Sequence, residues 1–386
     1  MIEQQGRLEI SQTRVLHNVQ AVRTKLGRDI QICATVKANA YGHGLREMVQ
    51  ILRTIGVNWL AVYSLDEVLP DLMHDMAVLV LAPLVIGTAT VRERWDTCIS
   101  HLRSLMSSVP THVRINITDE ASAHALLQTA QNGNPINIHM QVDTGLTRGG
   151  VALEKAIALA DLLAQSPSLK LEGIFSHFSH GDEAGHATIP LQMQRLQKIA
   201  AQLKPRHPNL LVHLQNSGGV WNAQDESLPQ LNMARAGIAL YGLQPNLAAP
   251  IPNLLPIAKL IAPILAIHDR PPGTGVGYGH AFITTRPSRL AIVPVGYADG
   301  YPRALSNRGI VQIHNTDAPI VGRVSMDQII IDITHLPDTQ IGDDVTVITW
   351  DPTKPNCIDR IAAATETIGY EIATGLGPRL RRVVVS

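Results

Sequence analysis

Cysteine is scarce in this chain of 386 residues. The three cysteines, Cys33, Cys98 and Cys357, are widely spaced and form no Cys-x-x-Cys pair. This pattern argues against a disulfide framework and a zinc site, and it fits a reducing compartment. Net charge is also absent, because 32 Lys plus Arg balance 32 Asp plus Glu. Without a basic excess, an extended nucleic-acid-binding face is not expected.

Membrane signals are missing as well. No apolar run approaches the ~20 residues that cross a bilayer. Residues 1–8 lack the basic-then-apolar pattern of a secretory signal. We therefore expect a cytoplasmic protein with no membrane or nucleic-acid partner. Because the chain is too long for one hydrophobic core, two domains are expected.

Short apolar runs alternate with longer helical patterns from about residue 10 to about residue 245. The predicted strands are 30–36, 57–63, 78–82, 112–117, 136–142, 171–175, 210–215 and 231–234. A first helix is predicted over 11–26, with Ser11 as N-cap and a buried stripe of Val15, Val19, Val22 and Leu26. A second helix is predicted over 153–165, with a buried stripe of Ile157, Leu159, Leu162 and Leu163. This alternation predicts an N-terminal (β/α)₈ TIM-like barrel in the α/β class, with a doubly wound open sheet as the alternative.

The pattern changes after residue 245. Residues 246–256 are rich in proline and predict a linker. Beyond them, β-type runs cover 264–268, 290–295, 309–314, 328–333 and 345–350, and one helical pattern covers 361–368. The sequence therefore predicts a barrel domain over 1–245 and a mostly β C-terminal domain over 246–386.

Lys37 follows the first predicted barrel strand. At a strand end it is expected to be partly desolvated, which disfavours the ammonium form and makes the amine a usable nucleophile and base. The alternative for a single lysine is a side chain that extends to solvent. Other polar clusters follow later strands, where the carboxyl ends of barrel strands share one face. Tyr41 follows the same strand as Lys37, and the later clusters are Asp143–Arg148, Ser176–Phe178, Asn216–Gly219 and Arg235–Ile238.

The last two clusters predict an anion site. Ser217 offers a hydroxyl, and the adjoining glycines offer unobstructed backbone N–H groups in loops that often hold phosphate in such barrels. The alternative is that the glycines only form tight turns. A reactive lysine and a phosphate site in one barrel mouth point to pyridoxal phosphate, which forms a Schiff base with lysine.

These motifs resemble those of bacterial alanine racemases, PLP-dependent enzymes of fold-type III. The matching segments are Thr35-Val-Lys-Ala-Asn-Ala-Tyr-Gly-His-Gly44, Asp143-Thr-Gly-Leu-Thr-Arg148, Arg235-Ala-Gly-Ile-Ala-Leu-Tyr-Gly242, Val295-Gly-Tyr-Ala-Asp-Gly300 and Val321-Gly-Arg-Val-Ser-Met-Asp-Gln328. The resemblance covers nearly the whole chain. It implies an isomerase that interconverts L- and D-alanine, supplying D-alanine for peptidoglycan or supporting L-alanine catabolism.

The resemblance also assigns roles to individual residues. Lys37 matches the lysine that holds the cofactor and exchanges the Cα proton of the aldimine on one face. Tyr278 matches the opposite base, which the partner subunit's C-terminal domain supplies in a head-to-tail homodimer. Arg235 matches the arginine that faces the pyridine nitrogen. The other implied contacts are Tyr41, Ser217, Gly237 and Ile238 at the phosphate, His177 near the pyridine ring, Arg148 near the phenolic oxygen and substrate carboxylate, and Tyr297 and Met326 at the substrate cavity, with Asp327 beside them.

Three positions depart from the family pattern. Gln141 stands where many members carry a carbamylated lysine that orients the arginine matched by Arg148. We expect Gln141 to hold Arg148 directly, or through a bound anion such as chloride. Ser325 replaces a cysteine, and Pro378 replaces an active-site tyrosine found in some members. Acceptance of serine or other small amino acids is therefore left open.

Two other functions are compatible with part of the sequence. A PLP-dependent decarboxylase on the same barrel would need an acidic residue, not Arg235, opposite the pyridine nitrogen. A non-enzymatic PLP-binding barrel would have no evident role for a second domain carrying Tyr278, Tyr297 and Met326. Both alternatives explain fewer of the motifs than an alanine racemase does.

Overall fold

The computed structural model describes residues 5–83, 110–129, 135–223 and 231–386. The chain folds as two compact units. The barrel unit comprises Gln20–Lys37 and Leu52–Gly237, and the β unit comprises Met1–Val19, Ala38–Ile51 and Ile238–Ser386. The predicted domain boundary at residues 245 and 246 stays a prediction. Cys33 and Cys357 are buried free thiols, whereas Cys98 lies outside the described residues.

Eight parallel strands close into a barrel in the barrel unit. After β1 (Arg7–Ser11), which belongs to the β unit, they are β2 (Gln31–Thr35), β3 (Trp59–Val62), β4 (Ala77–Val80), β5 (Val113–Ile117), β6 (Ile136–Gln141), β7 (Leu169–Phe175), β8 (Leu211–His213) and β9 (Met233–Ala236). β9 pairs in parallel with β2, with Arg235 opposite Cys33. This closure confirms the predicted barrel and excludes the doubly wound sheet. Part of its core is a buried cluster of Cys33, Ala61, Leu79, Leu211 and Met233.

The described helices of this half of the chain are α1 (Gln12–Leu26), α2 (Leu45–Thr54), α3 (Pro70–Met73), α4 (Glu120–Thr129), α5 (Ala156–Leu163), α6 (Thr188–Leu203) and α7 (Ser217–Asn222). The predicted cap of α1 is confirmed, because the Arg14 N–H donates to Ser11 Oγ at 3.4 Å. The stripe predicted over 153–165 is partly wrong. Ala156 and Ala160 are buried together with Leu159 and Leu163, whereas Ile157 and Leu162 are only partly covered.

The β unit is mostly β, as predicted. Its remaining strands are β10 (Ala258–Pro263), β11 (Ala266–Arg270), β12 (Gly275–Val276), β13 (Phe282–Ile283), β14 (Ser288–Val293), β15 (Ile310–Ile313), β16 (Thr316–Pro319), β17 (Ile329–Asp332), β18 (Asp344–Ile348) and β19 (Arg381–Val385). Five of them join β1 in one six-stranded sheet of order β16-β15-β18-β10-β1-β19, and β11-β14-β17 form a second sheet. The first strand of the chain thus lies between β10 and the last strand, a pairing that the sequence did not predict.

The helix predicted over 361–368 is displaced in the structure. Two short helices occur instead, α8 (Ile358–Ala364) and α9 (Gly369–Thr374). They are separated where Glu366 adopts φ +58°, a left-handed conformation that cannot continue a right-handed helix. Of the helices that the described ranges contain, none is both long and apolar enough to span a membrane.

Candidate active site

Lys37 lies directly after β2, at the carboxyl end of a barrel strand. The preceding residue, Val36, still joins the barrel, because its N–H donates to Ala61 O at 2.8 Å. The Lys37 side chain is half-buried. Burial lowers the pKa of the Lys37 amine, the positive charge of Arg148 lowers it further, and Glu67 opposes both. A larger fraction of the amine is therefore neutral near pH 7, as a base or nucleophile requires.

The four residues after Lys37 form a left-handed turn. Ala38, Asn39, Ala40 and Tyr41 have φ values of 54°, 53°, 53° and 52°. This conformation costs about 1–2 kcal/mol for each residue other than glycine. Hydrogen bonds hold the turn, including Gly42 N–H to Ala38 O at 2.9 Å and Leu45 N–H to Asn39 Oδ1 at 2.8 Å. Such strain persists only where the surrounding structure enforces it, and it is often found at functional sites.

Arg235 is the most strongly fixed of the predicted site residues in the barrel unit. It is 5% exposed. Its Nη1 donates to His213 Nδ1 at 2.8 Å, and its Nη2 donates to Ser176 O at 2.7 Å and to His177 Nδ1 at 3.1 Å. The guanidinium also lies 4.9 Å from the ring centre of Phe175. Burial lowers the pKa of Arg235 to about 10, so it remains a cation at neutral pH.

His177, another predicted site residue of the barrel unit, is neutral at pH 7. Burial lowers the pKa of His177 to about 3, and the positive charges of Arg235, Arg148 and Lys37 contribute to the shift. The imidazole therefore accepts a hydrogen bond from Arg235 without becoming charged. Four of the predicted residues of the barrel unit, Lys37, Arg148, His177 and Arg235, thus lie close enough to interact electrostatically.

Ser217 and Gly237 join the loops after β8 and β9. The Gly237 N–H donates to the buried Ser217 Oγ at 2.9 Å. Gly218 has a separate reason to lack a side chain, because a Cβ there would lie 2.6 Å from Gly181 O. Gly218 is thus required by close packing, and the functional argument rests on Ser217 and Gly237.

The loop that carries Arg148 is shaped by the first residue of its motif. Asp143 Oδ1 accepts the N–H groups of Gly145, Leu146 and Thr147 at 2.9, 3.1 and 3.1 Å. Thr147 has φ +58°, so the chain turns sharply just before Arg148. The motif therefore fixes the loop backbone and leaves the Arg148 side chain exposed.

Gln141 does not hold Arg148 directly, which corrects one of the two predicted arrangements. Gln141 Oε1 accepts from Asn116 Nδ2 at 3.1 Å, and Gln141 Nε2 donates to Gly149 O at 2.9 Å. Both ends of the amide are therefore engaged by other groups. The arrangement through a bound anion stays a prediction.

A second group of predicted residues lies in the β unit, where the backbone joins two motifs. The Tyr297 N–H donates to Ser325 O at 3.0 Å, and the Ala298 N–H donates to Met326 O at 3.0 Å. Gly296 permits this approach, because a Cβ there would lie 2.3 Å from Met326 O. The side chains of Tyr297 and Met326 are exposed.

Arg379 links the same two motifs through their carboxylates. Its Nε donates to Asp299 Oδ1 at 3.1 Å, and its Nη1 donates to Asp327 Oδ1 at 2.7 Å. Asp299 in turn accepts the Gly296 N–H at 2.9 Å. Asp327, which the sequence placed beside the substrate cavity, is thus bonded to the arginine that follows Pro378.

Tyr278 is 70% exposed. It begins a single 3₁₀ turn, Tyr278–His280, between β12 and β13. Gly277 and Gly279 both have φ +66°, a conformation that favours glycine on each side of the tyrosine. The short turn therefore presents the ring to solvent.

Tyr41 and Ile238 also belong to the β unit, and both are buried. The Tyr41 ring packs 4.8 Å from Tyr241 and 6.1 Å from Tyr370. Ile238 begins the 3₁₀ turn Ile238–Tyr241. Burial raises the pKa of the Tyr41 phenol.

Sequence reasoning missed four polar residues connected to Arg235, two of them fully buried and two partly buried. They are His213, His139, Glu172 and Arg114, which join Arg235 in one hydrogen-bonded chain. A weak signal was present, because β6 has the sequence Ile-Asn-Ile-His-Met-Gln and places a histidine in an otherwise apolar barrel strand.

Comparisons with known proteins agree on one family. Residues 10–245 match the family model "Alanine racemase, N-terminal domain", and residues 257–384 match "Alanine racemase, C-terminal domain". An alanine racemase from Desulfovibrio desulfuricans is 35% identical, and the alignment covers 98% of this chain and 97% of that protein.

Solved structures of the same family are also similar. The alanine racemase from E. faecalis has a TM-score of 0.84 and 29% identity, covering 99% of this chain and 98% of that one. The alanine racemase from Bartonella henselae, solved with covalently bound pyridoxal phosphate, has a TM-score of 0.78 and 28% identity, covering 99% and 100%.

Proposed function

This chain belongs to the alanine racemase family, and from that premise we propose that it interconverts L- and D-alanine with pyridoxal phosphate as cofactor. The observation that carries the proposal lies in the barrel unit. A half-buried lysine with a lowered pKa, Lys37, shares its surroundings with a buried arginine, Arg235, and a neutral histidine, His177. This set suits a cofactor that has an aldehyde, a pyridine nitrogen and a phosphate.

The donors of Arg235 fit such a cofactor. Its hydrogen bonds within the described residues use Nη1 and Nη2, which leaves the Nε–H as a donor for a pyridine nitrogen. Lys37 would hold the aldehyde carbon covalently, and His177 would pack near the ring. Ser217, Gly237, Ile238 and Tyr41 would hold the phosphate.

Racemisation needs proton removal on one face of Cα and proton delivery on the other. Pyridoxal phosphate, when bound, withdraws electrons from Cα and makes its proton acidic. Lys37 Nζ would exchange the proton on one face and Tyr278 Oη on the opposite face. Arg148 would hold the substrate carboxylate, and Tyr297 and Met326 would limit the size of the substrate side chain.

Arg235 would restrict the reaction to racemisation. An arginine donates a hydrogen bond but does not release its proton at neutral pH. The pyridine nitrogen would therefore stay unprotonated and withdraw fewer electrons from Cα. Return of the proton to Cα is then favoured over side reactions such as transamination.

Tyr278 would act in the active site of a partner subunit. The 70% exposure of its ring supports this, because a base that is open to solvent in one chain can be covered by another. We propose a head-to-tail homodimer in which the C-terminal domain, residues 246–386, completes the partner's site. The protein would act in the cytoplasm.

An anion such as chloride would lie between Gln141 and Arg148. The Gln141 amide is engaged by Asn116 and Gly149 and supplies no negative charge to Arg148. Crystals grown in bromide should show an anomalous peak beside the Arg148 guanidinium. If Arg148 is well ordered and the bromide crystals show no such peak, this part of the proposal is contradicted.

The cellular role follows from the reaction in two alternative ways. The enzyme would supply D-alanine for peptidoglycan, or it would feed L-alanine catabolism from D-alanine. Serine and other small amino acids are further candidate substrates, because Pro378 replaces a bulky tyrosine of some relatives. Comparing kcat/KM for alanine and serine tests this breadth.

The reaction is tested with the purified holoenzyme and L-alanine in deuterated water. We expect deuterium at Cα, loss of optical rotation and no release of carbon dioxide. Lys37→Ala is the matched control and should abolish both the deuterium exchange at Cα and the loss of optical rotation. If the wild type leaves L-alanine, D-alanine and L-serine unchanged, the proposed function is wrong.

The two-base assignment is tested with Tyr278→Phe. Because Lys37 would still serve one face, this variant should exchange the Cα proton of one enantiomer with retention of configuration and racemise neither. The absorption of the bound cofactor should be unchanged. Normal racemisation by Tyr278→Phe would show that another group is the second base.

A further inference from the structure

A chain of buried and partly buried polar side chains connects Arg235 to Glu172 and Arg114 on other barrel strands. Arg235 Nη1 lies 2.8 Å from His213 Nδ1. His213 Nε2 lies 2.8 Å from His139 Nδ1, and His139 Nε2 lies 3.3 Å from Glu172 Oε2. Both histidines are fully buried. Residues from four strands, β9, β8, β6 and β7, thus form one continuous hydrogen-bonded path.

Arg114 terminates the path on β5. Its Nε donates to Glu172 Oε2 at 2.7 Å and its Nη2 donates to Glu172 Oε1 at 3.1 Å. The guanidinium also lies 4.9 Å from the ring centre of Trp59. Burial acts to raise the pKa of Glu172, but the bonds from His139 and Arg114 outweigh it and lower the pKa to about 2. Glu172 is therefore a carboxylate that only accepts.

The backbone makes room for this path. A Cβ at Gly173 would lie 2.7 Å from His139 Cε1 and 2.7 Å from His139 Nδ1. The register between β6 and β7 also shifts between Ile138 and His139. Phe175 stacks on the His213 ring at 5.0 Å with an interplanar angle of 16°. The two imidazoles are thus held in defined planes.

The two ends of the path dictate the protonation of both rings. An arginine only donates, so the His213 Nδ1 that it contacts carries no hydrogen. A neutral His213 then carries its hydrogen on Nε2 and donates to His139 Nδ1. His139 in turn carries its hydrogen on Nε2 and donates to Glu172. Burial lowers the pKa of both histidines, which agrees with two neutral rings.

We propose that Glu172 is a positioning residue for Arg235, acting through the fixed tautomers of His139 and His213. Every hydrogen of the path points away from Arg235 and towards Glu172. The path therefore cannot carry a proton to the arginine unless both imidazoles change tautomer. Loss of the carboxylate leaves the buried His139 Nε2–H without an acceptor among the described residues, so the His139 ring must turn or change tautomer.

The tautomers are tested by neutron diffraction from crystals of the holoenzyme exchanged into deuterated water. We expect deuterium on Nε2 and none on Nδ1 in both His139 and His213. Deuterium on Nδ1 of either ring, or on both nitrogens, would overturn the proposal. This measurement needs no turnover, so it stands or fails separately from the proposed racemase activity.

Two substitutions of Glu172 test its action on catalysis, a step that does rest on the proposed function. Glu172→Gln keeps an acceptor oxygen and should retain the Nε2 tautomers and nearly the full kcat. Glu172→Leu removes the acceptor and should lower kcat about tenfold or more, with a smaller change in KM. Neutron maps of Glu172→Leu should show either a changed proton position on His139 or a His139 ring turned away from His213, because the Nε2–H has lost its acceptor.

The control is Glu154→Leu, the same change at an exposed carboxylate of the barrel unit. It should leave kcat unchanged. Wild-type kcat and wild-type tautomers in Glu172→Leu would overturn the positioning role. If Glu172→Leu does not fold, the wild-type neutron structure and the Glu172→Gln kinetics still decide, because a loss of kcat of about tenfold in Glu172→Gln contradicts a role that only needs an acceptor.

Discussion

Two predicted site residues of the barrel unit, Arg235 and Ser217, are buried and hydrogen-bonded, whereas three predicted site residues of the β unit are exposed. Arg235 is 5% exposed and donates to side chains and carbonyls on neighbouring strands. Tyr278, Tyr297 and Met326 are 70%, 43% and 53% exposed. Buried and bonded groups are organised before any ligand arrives, since their positions are fixed by the fold.

Exposed aromatic and methionine side chains have a different meaning. Tyr and Met are enriched where one protein surface is covered by another. In the proposed dimer, the β unit would supply groups whose surroundings are completed by a partner. The proposal thus distinguishes a half-site that one chain would build alone from a half-site that would need a partner.

The prediction with the largest expected effect tests, by mixing subunits, whether the two half-sites come from different chains. Lys37→Ala and Tyr278→Phe should each lose about a thousandfold or more in kcat, because each removes one base. If the two residues serve sites shared between subunits, mixed and reassociated variants should regain about a quarter of the wild-type activity, since half of the dimers are hybrids with one complete site of two. Activity is measured after co-refolding or co-expression.

The control for mixing is each variant co-expressed with itself. Recovery should require both variants in one preparation and should disappear on dilution below the dimer dissociation constant. A mixture that stays as inactive as its components would place Lys37 and Tyr278 in the site of a single chain. The contrast between the two half-sites would then need another explanation.

A second prediction compares one substitution at a buried and at an exposed arginine. Arg235→Met should lower the free energy of unfolding by about 3 kcal/mol, because His213 Nδ1 and Ser176 O lose their donor in a buried place. Arg148→Met, at an exposed side chain, should change it by less than about 0.5 kcal/mol. Urea unfolding of both variants measures the difference, and equal losses would contradict it.

The sequence predicted those parts of this arrangement that depend on local patterns. β6 begins at Ile136 and Ser11 caps α1, both as predicted. Both predictions were possible because a strand start and a helix cap depend on neighbouring residues. Lys37 and Arg235 were placed at strand ends because parallel strands share one direction in a barrel. Local pattern and strand polarity are thus enough to find the mouth of the barrel.

The remaining features depend on residues that are distant in sequence. The left-handed turn Ala38–Tyr41 contains two alanines, and no local preference predicts it. β1 pairs with β19 although they lie near opposite ends of the chain. The path through His139 and Glu172 requires the register of the closed barrel. Such features follow from tertiary contacts, which periodicity cannot reveal.

The third prediction concerns pH and a buried carboxyl group of the β unit. Burial raises the pKa of Asp359 to about 6, although the Gln244 N–H and the Arg360 charge oppose the shift. Asp359 Oδ1 has no hydrogen-bond partner among the described residues. Glu172 in the barrel unit shows the opposite shift, because it has both His139 and Arg114 as partners.

The sign of the effect follows from linkage. Because the folded-state pKa of Asp359 lies above the unfolded value of 3.8, folding loses stability as pH rises from about 4 through 6. Asp359→Asn should therefore raise the free energy of unfolding by about 2 kcal/mol at pH 7.5 and by almost nothing at pH 4. Chemical unfolding at both pH values measures it, and an equal gain at both would show that ionisation is not the cause.

The smallest expected effect compares two serines, one from each half-site. The buried Ser217 Oγ accepts the Gly237 N–H at 2.9 Å, whereas the exposed Ser325 Oγ bonds to the Gln328 backbone at 2.7 and 3.1 Å. Ser217→Ala should cost about 1 kcal/mol of stability and weaken cofactor binding about tenfold, because it leaves a buried N–H unpaired at the proposed phosphate site. Ser325→Ala should cost less than about 0.5 kcal/mol, because water replaces the lost bonds. Thermal unfolding and cofactor titration of both variants measure these changes.

Equal cofactor affinity in the two variants would remove Ser217 from the proposed phosphate site. A larger loss of stability in Ser325→Ala than in Ser217→Ala would show that burial does not distinguish the two half-sites.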